Sequence, residues 1–468
     1  MKKSAYATTL SRYGRLSVLL LIFVLVMTGC TAVAPAPAAD TDAGGETAAS
    51  ADTTNVRFWN HWLAARVELV DQMIADFEEV HPDITVENLG QPWERRQENM
   101  FTALASNDPP EVVMATRSEI LQLADDGLIV APSPPWWKRM TTLTWASSTT
   151  PRSTTCAGKA NSTPCPCPPA AVSPASCSST LTCSMKPASN RKVPETWQEL
   201  EDLAREFTVI DDRGIVQIGA NVGTGAGAFF AWLCYTNDGR IYSDDLRSVA
   251  FNSPEGVETL TWMVNFTNDI NGGIQNVLDF YITGQEANET QPWYNDVELV
   301  NFPNVSIFFH MATLKPDLDW DLGLRPYNGN NDAAESHGIS GEEFGWGYVI
   351  PAGVPEEKQQ AAYEWVKKIT YDMDGACWFM QQQSRPSPLK ECNEDQMYYD
   401  VNPKWDLVRD SLERDVSVDI LPIHNRVRDV VEQAVQAAMF GEKSPEEALN
   451  DAADQANAII DEYWSENQ

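Results

Sequence analysis

Asn55-Val-Arg-Phe-Trp-Asn-His-Trp62 opens as a short apolar strand and ends in polar and aromatic residues. Val67, Val70, Ile74 and Phe77 follow at the three-to-four spacing of a helix with one apolar face. His81-Pro82-Asp83 breaks that helix, because proline cannot supply a backbone donor, and Ile84-Thr-Val86 begins a second strand. Strand, helix and strand in so few residues predict a parallel α/β layer.

The same alternation continues outward. A helix is expected through Met100, Phe101 and Leu104 to the turn Asn107-Asp-Pro-Pro110, then a strand Glu111-Val-Val-Met114, then a helix from Ile120 to Ala124 stopped at Gly127. Beyond residue 190, Thr196-Trp-Gln-Glu199 is a capping box opening a helix with Leu200, Leu203 and Phe207. A glycine-rich turn, Gly219 to Gly227, precedes an aromatic helix, Phe229 to Tyr235, and Ser253-Pro254 starts another helix. Phe344 to Pro351 is expected as a strand leading into a helix with Ala362, Trp365, Val366 and Ile369. Ser444-Pro-Glu-Glu447 caps the last helix, with Leu449, Ala452, Ala456, Ile459 and Tyr463 on one face.

The N-terminal region has a different character. Lys2, Lys3, Arg12 and Arg15 precede the apolar run Leu16 to Met27, too short for a comfortable membrane span and suited to an export signal over residues 1–29. It ends in Met27-Thr-Gly-Cys30, which resembles a bacterial lipobox with Met where Leu is usual; Cys30 is the expected lipidation site. Residues 30–54 are Ala, Pro, Thr, Gly, Asp and Ser with almost no large apolar side chain, an expected flexible tether. The remaining length suits two domains. A net charge of −34 argues against nucleic acid and against docking on anionic lipid by charge.

Residues 132–190 break the composition. The block lacks Asp, Glu, Ile, Phe and Tyr and holds five of the nine cysteines: Cys156, Cys165, Cys167, Cys177 and Cys183. Cys165-Pro-Cys167 has the wrong spacing for paired zinc ligands and no neighbouring His, and Trp136, Trp137 and Trp145 do not suit a linker. Joining the last base of each codon to the first two of the next makes Trp136-Trp-Lys138 begin Val-Glu. The same shift makes Cys177 to Ala188 compatible with Leu-Phe-Phe-Asn-x-Asp-Leu-Phe-Asp-Glu-Ala-Gly, the Glu being forced by Met185-Lys186. The block is therefore expected to lie between two compensating frame changes, and to be disordered as written.

Val56 to Trp62, Phe77 to Val86, Asn107 to Val113, Pro194-Glu-Thr-Trp-Gln-Glu-Leu200, Phe344-Gly-Trp-Gly-Tyr-Val-Ile-Pro351 and the helix from Pro355 occur in the order that resembles extracellular solute-binding protein family 1, the sugar-type binding proteins of ABC importers. The shifted peptide fits the same pattern. The resemblance implies a two-lobed periplasmic-binding-protein-like α/β fold of class II type, with a hinge and an interlobe cleft that closes on ligand. Lobe 1 is expected over 55–131 with a return near 305–348, and lobe 2 over 191–303 with C-terminal helices over 349–468. It further implies an extracytoplasmic, lipid-anchored monomer that delivers carbohydrate to ABC permease subunits. No cofactor, metal, catalytic residue or nucleic-acid partner is expected.

Sugars present C–H faces and rims of hydroxyls, so a site needs flat aromatics and planar polar groups. Trp62 and Trp346 are the candidate stacking residues, with core packing the alternative for each. Asn60 and His61 are candidate hydroxyl partners. Trp93 and Trp293 sit among polar residues, as exposed loop tryptophans would. Thr116 follows the third strand, at the carboxyl edge where α/β sheets bind ligands, and Arg385 lies in Ser-Arg-Pro-Ser. Cys377 and Cys392 flank a short loop and are a possible disulfide; Cys234 is expected as a buried thiol. Gly223-x-Gly-x-Gly227 lacks the remaining glycine of a dinucleotide fingerprint. Several tryptophans and the lack of a basic cluster favour a neutral carbohydrate, and three alternatives stand beside it: a peptide-, polyamine- or oligo-anion-binding protein, a copy inactivated by the shifted block, and a secreted glycoside hydrolase, which would need two carboxylates across one bond.

Overall fold

Val56 and Phe58, two residues apart on the first strand, point to one face and are completely buried, while Arg57 and Trp59 on the other face are partly exposed. The computed structural model describes residues 53–92, 95–106, 108–130, 183–185, 192–282, 292–303, 307–337, 339–340, 346–402, 404–414 and 416–467. Among these the strands are, in chain order, β1 (Thr54–Asn60), β2 (Ile84–Gly90), β3 (Val112–Thr116), β4 (Cys183–Met185), β5 (Val209–Asp211), β6 (Gly214–Ala220), β7 (Glu298–Asn301), β8 (Asp321–Gly323), β9 (Ile339–Ser340), β10 (Trp346–Val349) and β11 (Val416–Ser417).

They form two main sheets. The first has the order β10-β3-β1-β2, with β1 parallel to both β2 and β3 and β10 antiparallel to β3. The second has the order β5-β6-β7-β4-β8, mixing one parallel pair, β6 and β7, with antiparallel neighbours. A short parallel pair, β9 with β11, stands apart.

Each sheet has its own core. Under the first, Val56, Phe58 and Met114 meet Phe77 and Ile74 of the helix Arg66–Val80 and Ala362, Trp365, Val366 and Ile369 of the helix Glu356–Tyr371. The Phe58 ring meets Trp365 edge-on at 5.5 Å. Around the second, Trp197, Leu200, Ala220, Phe230, Leu260 and Phe266 pack with Val431, Val435, Leu449 and Ile460 of the helices His424–Met439 and Pro445–Glu466. A further cluster joins Trp293, Phe308, Met311, Leu322, Tyr398 and Trp405 around the Cys377–Cys392 disulfide. Buried Glu111 ties the first sheet together: Arg57 meets it through Nε at 2.9 Å and Nη2 at 3.0 Å, and Lys358 through Nζ at 2.8 Å.

Three expectations need correction. Residues 349–380 pack on the first sheet, not with the second, because the face Ala361, Ala362, Trp365 and Ile369 is the cover that Val56 and Phe58 need. The 305–348 return is divided: β10 joins the first sheet, but β8 joins the second and the helix Ile307–Leu314 joins the disulfide cluster. Cys183–Met185, within the block expected to be disordered, forms β4 between β7 and β8. Ladder hydrogen bonds use backbone groups alone, so that slot does not demand a particular side-chain sequence. The rest of 131–191, with Cys156, Cys165, Cys167 and Cys177, lies outside the described residues, as do the signal, Cys30 and the tether.

Candidate functional site

β1, β2 and β3 are parallel, so their carboxyl ends share one edge; β10 runs the other way and begins there, with Trp346 opposite Thr116. Four of the sequence-derived candidates meet at this edge: His61, Trp62, Trp346 and Arg385.

Asn60 makes the turn that delivers the first two. It is completely buried; its Oδ1 accepts the Trp62 backbone N–H at 2.9 Å, and its Nδ2 donates to Asn88 Oδ1 at 2.8 Å. An amide engaged on both sides is a turn-former. His61 turns its Nδ1 to the carbonyl oxygen of Gln91 at 3.2 Å, and burial lowers its pKa, keeping the ring neutral near pH 7. Trp62 is 4% exposed, meets Phe379 edge-on at 5.2 Å and donates Nε1 to the Tyr348 hydroxyl at 3.4 Å. It belongs to the core. Half-buried Trp346 lies beside it, 6.3 Å between ring centroids, and 6.5 Å from His61. The open part of an aromatic platform here is therefore Trp346, with Trp62 fixing it from behind.

Thr116 is spent on the helix Arg117–Asp125. Its hydroxyl accepts from Glu119 N at 3.4 Å while Glu119 Oε2 accepts from Thr116 N at 2.8 Å, a reciprocal capping box. At 3% exposure it shapes the edge rather than lining it.

Arg385 arrives from the opposite end of the chain. The loop that carries it runs between Cys377 and Cys392, which are joined by a disulfide (S–S 2.03 Å). Ser384 adopts a left-handed conformation (φ 50°), a turn disfavoured for a side chain with a Cβ. Two bonds hold the next residue: Arg385 N donates to Met380 O at 2.9 Å and its carbonyl accepts the Tyr398 hydroxyl at 2.7 Å; two residues on, Ser387 N donates to Asn393 Oδ1 at 2.7 Å and fixes the loop. The Arg385 guanidinium consequently sits over Trp62, 5.5 Å from the ring centroid, in cation–π geometry. Arg66, at the start of the helix after β1, donates Nε to Gln383 Oε1 at 2.8 Å and lies 4.8 Å over the Phe309 ring.

The other candidates lie elsewhere. Trp293 is a correction: it is 1% exposed in the disulfide cluster, edge-on to Tyr294 and Trp320, because its indole fills the core beside buried Pro292 and Tyr294 while Asn295 and Asp296 are exposed. Trp93 lies outside the described residues. Arg66, Tyr348 and Gln383 were not singled out from sequence. Arg66 carried a usable signal, since it falls at the start of a helix leaving the same sheet edge as Trp62; Gln383 carried none. The edge offers one flat aromatic face and guanidinium donors. Among the described residues no group of His, Cys, Asp or Glu is placed to hold a metal ion.

A family model for bacterial extracellular solute-binding proteins matches residues 72–405. The chain belongs to this family. Among curated relatives, the sn-glycerol-3-phosphate-binding periplasmic protein UgpB of Salmonella typhimurium is 21% identical over 277 residues, 57% of this chain and 60% of that protein. The chain thus spans about three-fifths of the length of the curated relatives it matches. Solved structures agree over more of the chain. The maltose/maltodextrin-binding domain MalE from Bdellovibrio bacteriovorus, bound to maltotriose, is 15% identical with TM-score 0.67, covering 87% of this chain and 99% of that one. An ABC substrate-binding protein from Listeria monocytogenes in complex with cycloalternan gives 17% and 0.69 over 87% and 99%. A solute-binding protein from Thermotoga lettingae bound with alpha-D-tagatose gives 19% and 0.68 over 87% and 100%. At these identities the likeness establishes the two-lobed α/β fold. The family and these neighbours are substrate-binding proteins rather than enzymes.

Proposed function

We propose that this protein is the extracytoplasmic binding component of an ABC importer and captures a carbohydrate at the carboxyl edge of its first sheet. The observation that carries this is the meeting of Trp346, Trp62, His61 and Arg385 at that edge. A half-buried indole gives a flat face for the C–H side of a sugar ring, and a rigidly held guanidinium gives directed donors for its oxygens. Neighbours of the same fold hold maltotriose, cycloalternan and tagatose. Lobe 1 comprises the first sheet with residues 349–380, lobe 2 the second sheet with the two C-terminal helices, and ligand is trapped by closure between them. Cys30 carries the lipid, the stretch between it and β1 is the tether, and the solute is handed to ABC permease subunits.

A thermal-shift screen of the full-length protein against a sugar panel tests the assignment. A ligand at 100 times its Kd adds about 2.7 kcal/mol of stability, so the true class should raise Tm by a few degrees. A stabilising peptide or polyamine with no response to any sugar would overturn carbohydrate capture. For the anchor, Cys30→Ser should release the protein from the membrane fraction; unchanged membrane retention would contradict lipidation at that residue.

A further inference from the structure

The glycine-rich turn after β6 stands where α/β sheets bind their ligands, at the carboxyl ends of parallel strands. β6 runs parallel to β7, and β8 runs the same way, because β4 lies antiparallel to both β7 and β8. The turn and Phe302, the residue after β7, therefore share one edge of the second sheet. The turn opens the helix Ala226–Tyr235, whose Phe229 is half-buried at that edge and meets half-buried Phe302 edge-on at 5.6 Å. Asn221 shapes the start of the turn, its Oδ1 accepting from Gly223 N at 2.7 Å and from Thr224 N at 3.2 Å.

The end of the turn is held from outside. Gly225 precedes the helix in a left-handed conformation (φ 65°) and has no side chain with which to cap it. A Ser or Asp at that position is the usual way to satisfy the first backbone donors of a helix. Here a carboxylate 205 residues further along the chain does so: Gly227 N donates to Glu432 Oε2 at 2.9 Å. A Cβ on Gly227 would overlap that carboxylate, so the approach requires glycine. Gln436, one turn beyond Glu432, donates Nε2 to its other oxygen at 2.7 Å and fixes the group. The helix His424–Met439 that carries both is anchored in the second core through Val431 and Val435. We propose that Glu432 is a positioning residue for ligand capture: it fixes the first turn of the helix Ala226–Tyr235 and so holds the Phe229 ring where it takes an apolar face of the sugar. This assignment rests on the carbohydrate function proposed above and adds to it the share of the second sheet.

Isothermal titration of the full-length protein with maltotriose, mannobiose and tagatose is the test, read on whichever binds tightest. E432A should weaken binding about 10-fold, the span of one lost charge-assisted contact. E432Q, whose amide oxygen still accepts the Gly227 N–H, should stay within about 3-fold of the parent. F229A should weaken binding at least as much as E432A, and F229A/E432A should fall no more than about 2-fold below F229A, because one residue acts through the other. V435A opens a cavity in the core of the same helix and should lower Tm while leaving affinity within about 2-fold. Binding by E432A within about 2-fold of the parent, or losses that multiply in the double variant, overturns the positioning role and leaves carbohydrate capture standing. So does equal weakening by V435A, which would make the loss one of stability alone. Should E432A not fold, E432D replaces it: its shorter side chain loses the bond, and affinity equal to that of E432Q overturns the assignment. Binding of none of the sugars overturns the carbohydrate function and this inference with it.

Discussion

Removing the Cys377–Cys392 disulfide joins the stability of the fold to the geometry of its site. The bond spans a sequence separation of 15 residues and lies in the cluster formed by Trp293, Phe308, Tyr398 and Trp405. Closing a loop of that length removes about 3 kcal/mol of entropy from the unfolded chain at 25 °C. Unfolding entropy of ~2.1 cal/mol/K per residue over roughly 400 residues makes this about 3 °C in Tm if the body melts as one unit. The substitution C377A/C392A should therefore lower Tm by about 3 °C in scanning calorimetry, and a reducing agent should lower the parent by a similar amount while leaving the variant unmoved. Arg385 keeps its bonds to Met380 and Tyr398 but loses the cross-link, so affinity for the ligand should fall several-fold with the site intact. A variant that melts within about 1 °C of the parent and binds equally well would refute both the entropic account and the positioning role of the loop.

Further outcomes follow from buried ionisable groups. Burial, reinforced by Arg428 and Arg117, pushes His424 down to about 3, and its Nδ1 meets the Tyr242 hydroxyl at 2.9 Å. The stability this lends is complete above the unfolded value of about 6.5 and is lost as pH falls toward 3, so H424Q should flatten the decline of Tm between pH 6.5 and about 4.5; an equal decline in both proteins would contradict it. Burial pushes the Glu111 carboxyl up, but hydrogen bonds from Arg57 and Lys358 outweigh it and hold the group below the usual range. Its contribution is present above the unfolded value and is lost as pH falls through the folded one. E111Q should cost about 2 kcal/mol in urea unfolding at pH 7, less than the roughly 3–5 kcal/mol of a fully buried broken pair because both cations can reach water, and a change under about 0.5 would show the cluster to be incidental. Resequencing across codons 125–195 tells frame changes that arose in sequencing, which would vanish, from real ones, which would stay; an unaltered reading together with a block that folds as an ordered, packed unit would sink that explanation.

Much of the secondary structure was legible because its signals are local. Helices were expected from apolar spacing and caps, and Thr196 and Ser444 each accept the predicted backbone N–H. Strands β1 to β3 and β10 fall where alternation and turn residues put them. What could not be read is which sheet a distant helix covers. The face Ala362, Trp365, Ile369 says that a partner exists, and only tertiary packing says that it is Phe58. The site shows the same division. Trp62, Trp346 and Trp293 looked alike as aromatics beside polar residues, yet Trp62 and Trp293 are core and Trp346 is half-buried, because burial depends on packing partners such as Phe379 and Trp320 that local sequence does not show. The capping role of Thr116 was latent in Thr116-Arg-Ser-Glu119, a capping box of the same form as the one recognised at Thr196. The contact of Arg66 with Gln383 has no sequence signature, since it depends on how the loop of residues 377–392 folds back on the first helix.

The most direct test is a crystal structure of the protein with the tightest-binding member of the sugar panel. It should show a sugar ring within about 4 Å of the Trp346 indole, with a ligand oxygen in hydrogen-bond reach of Arg385. A ligand seated away from the carboxyl edge of the first sheet, with Trp346 and Arg385 untouched, would contradict the account.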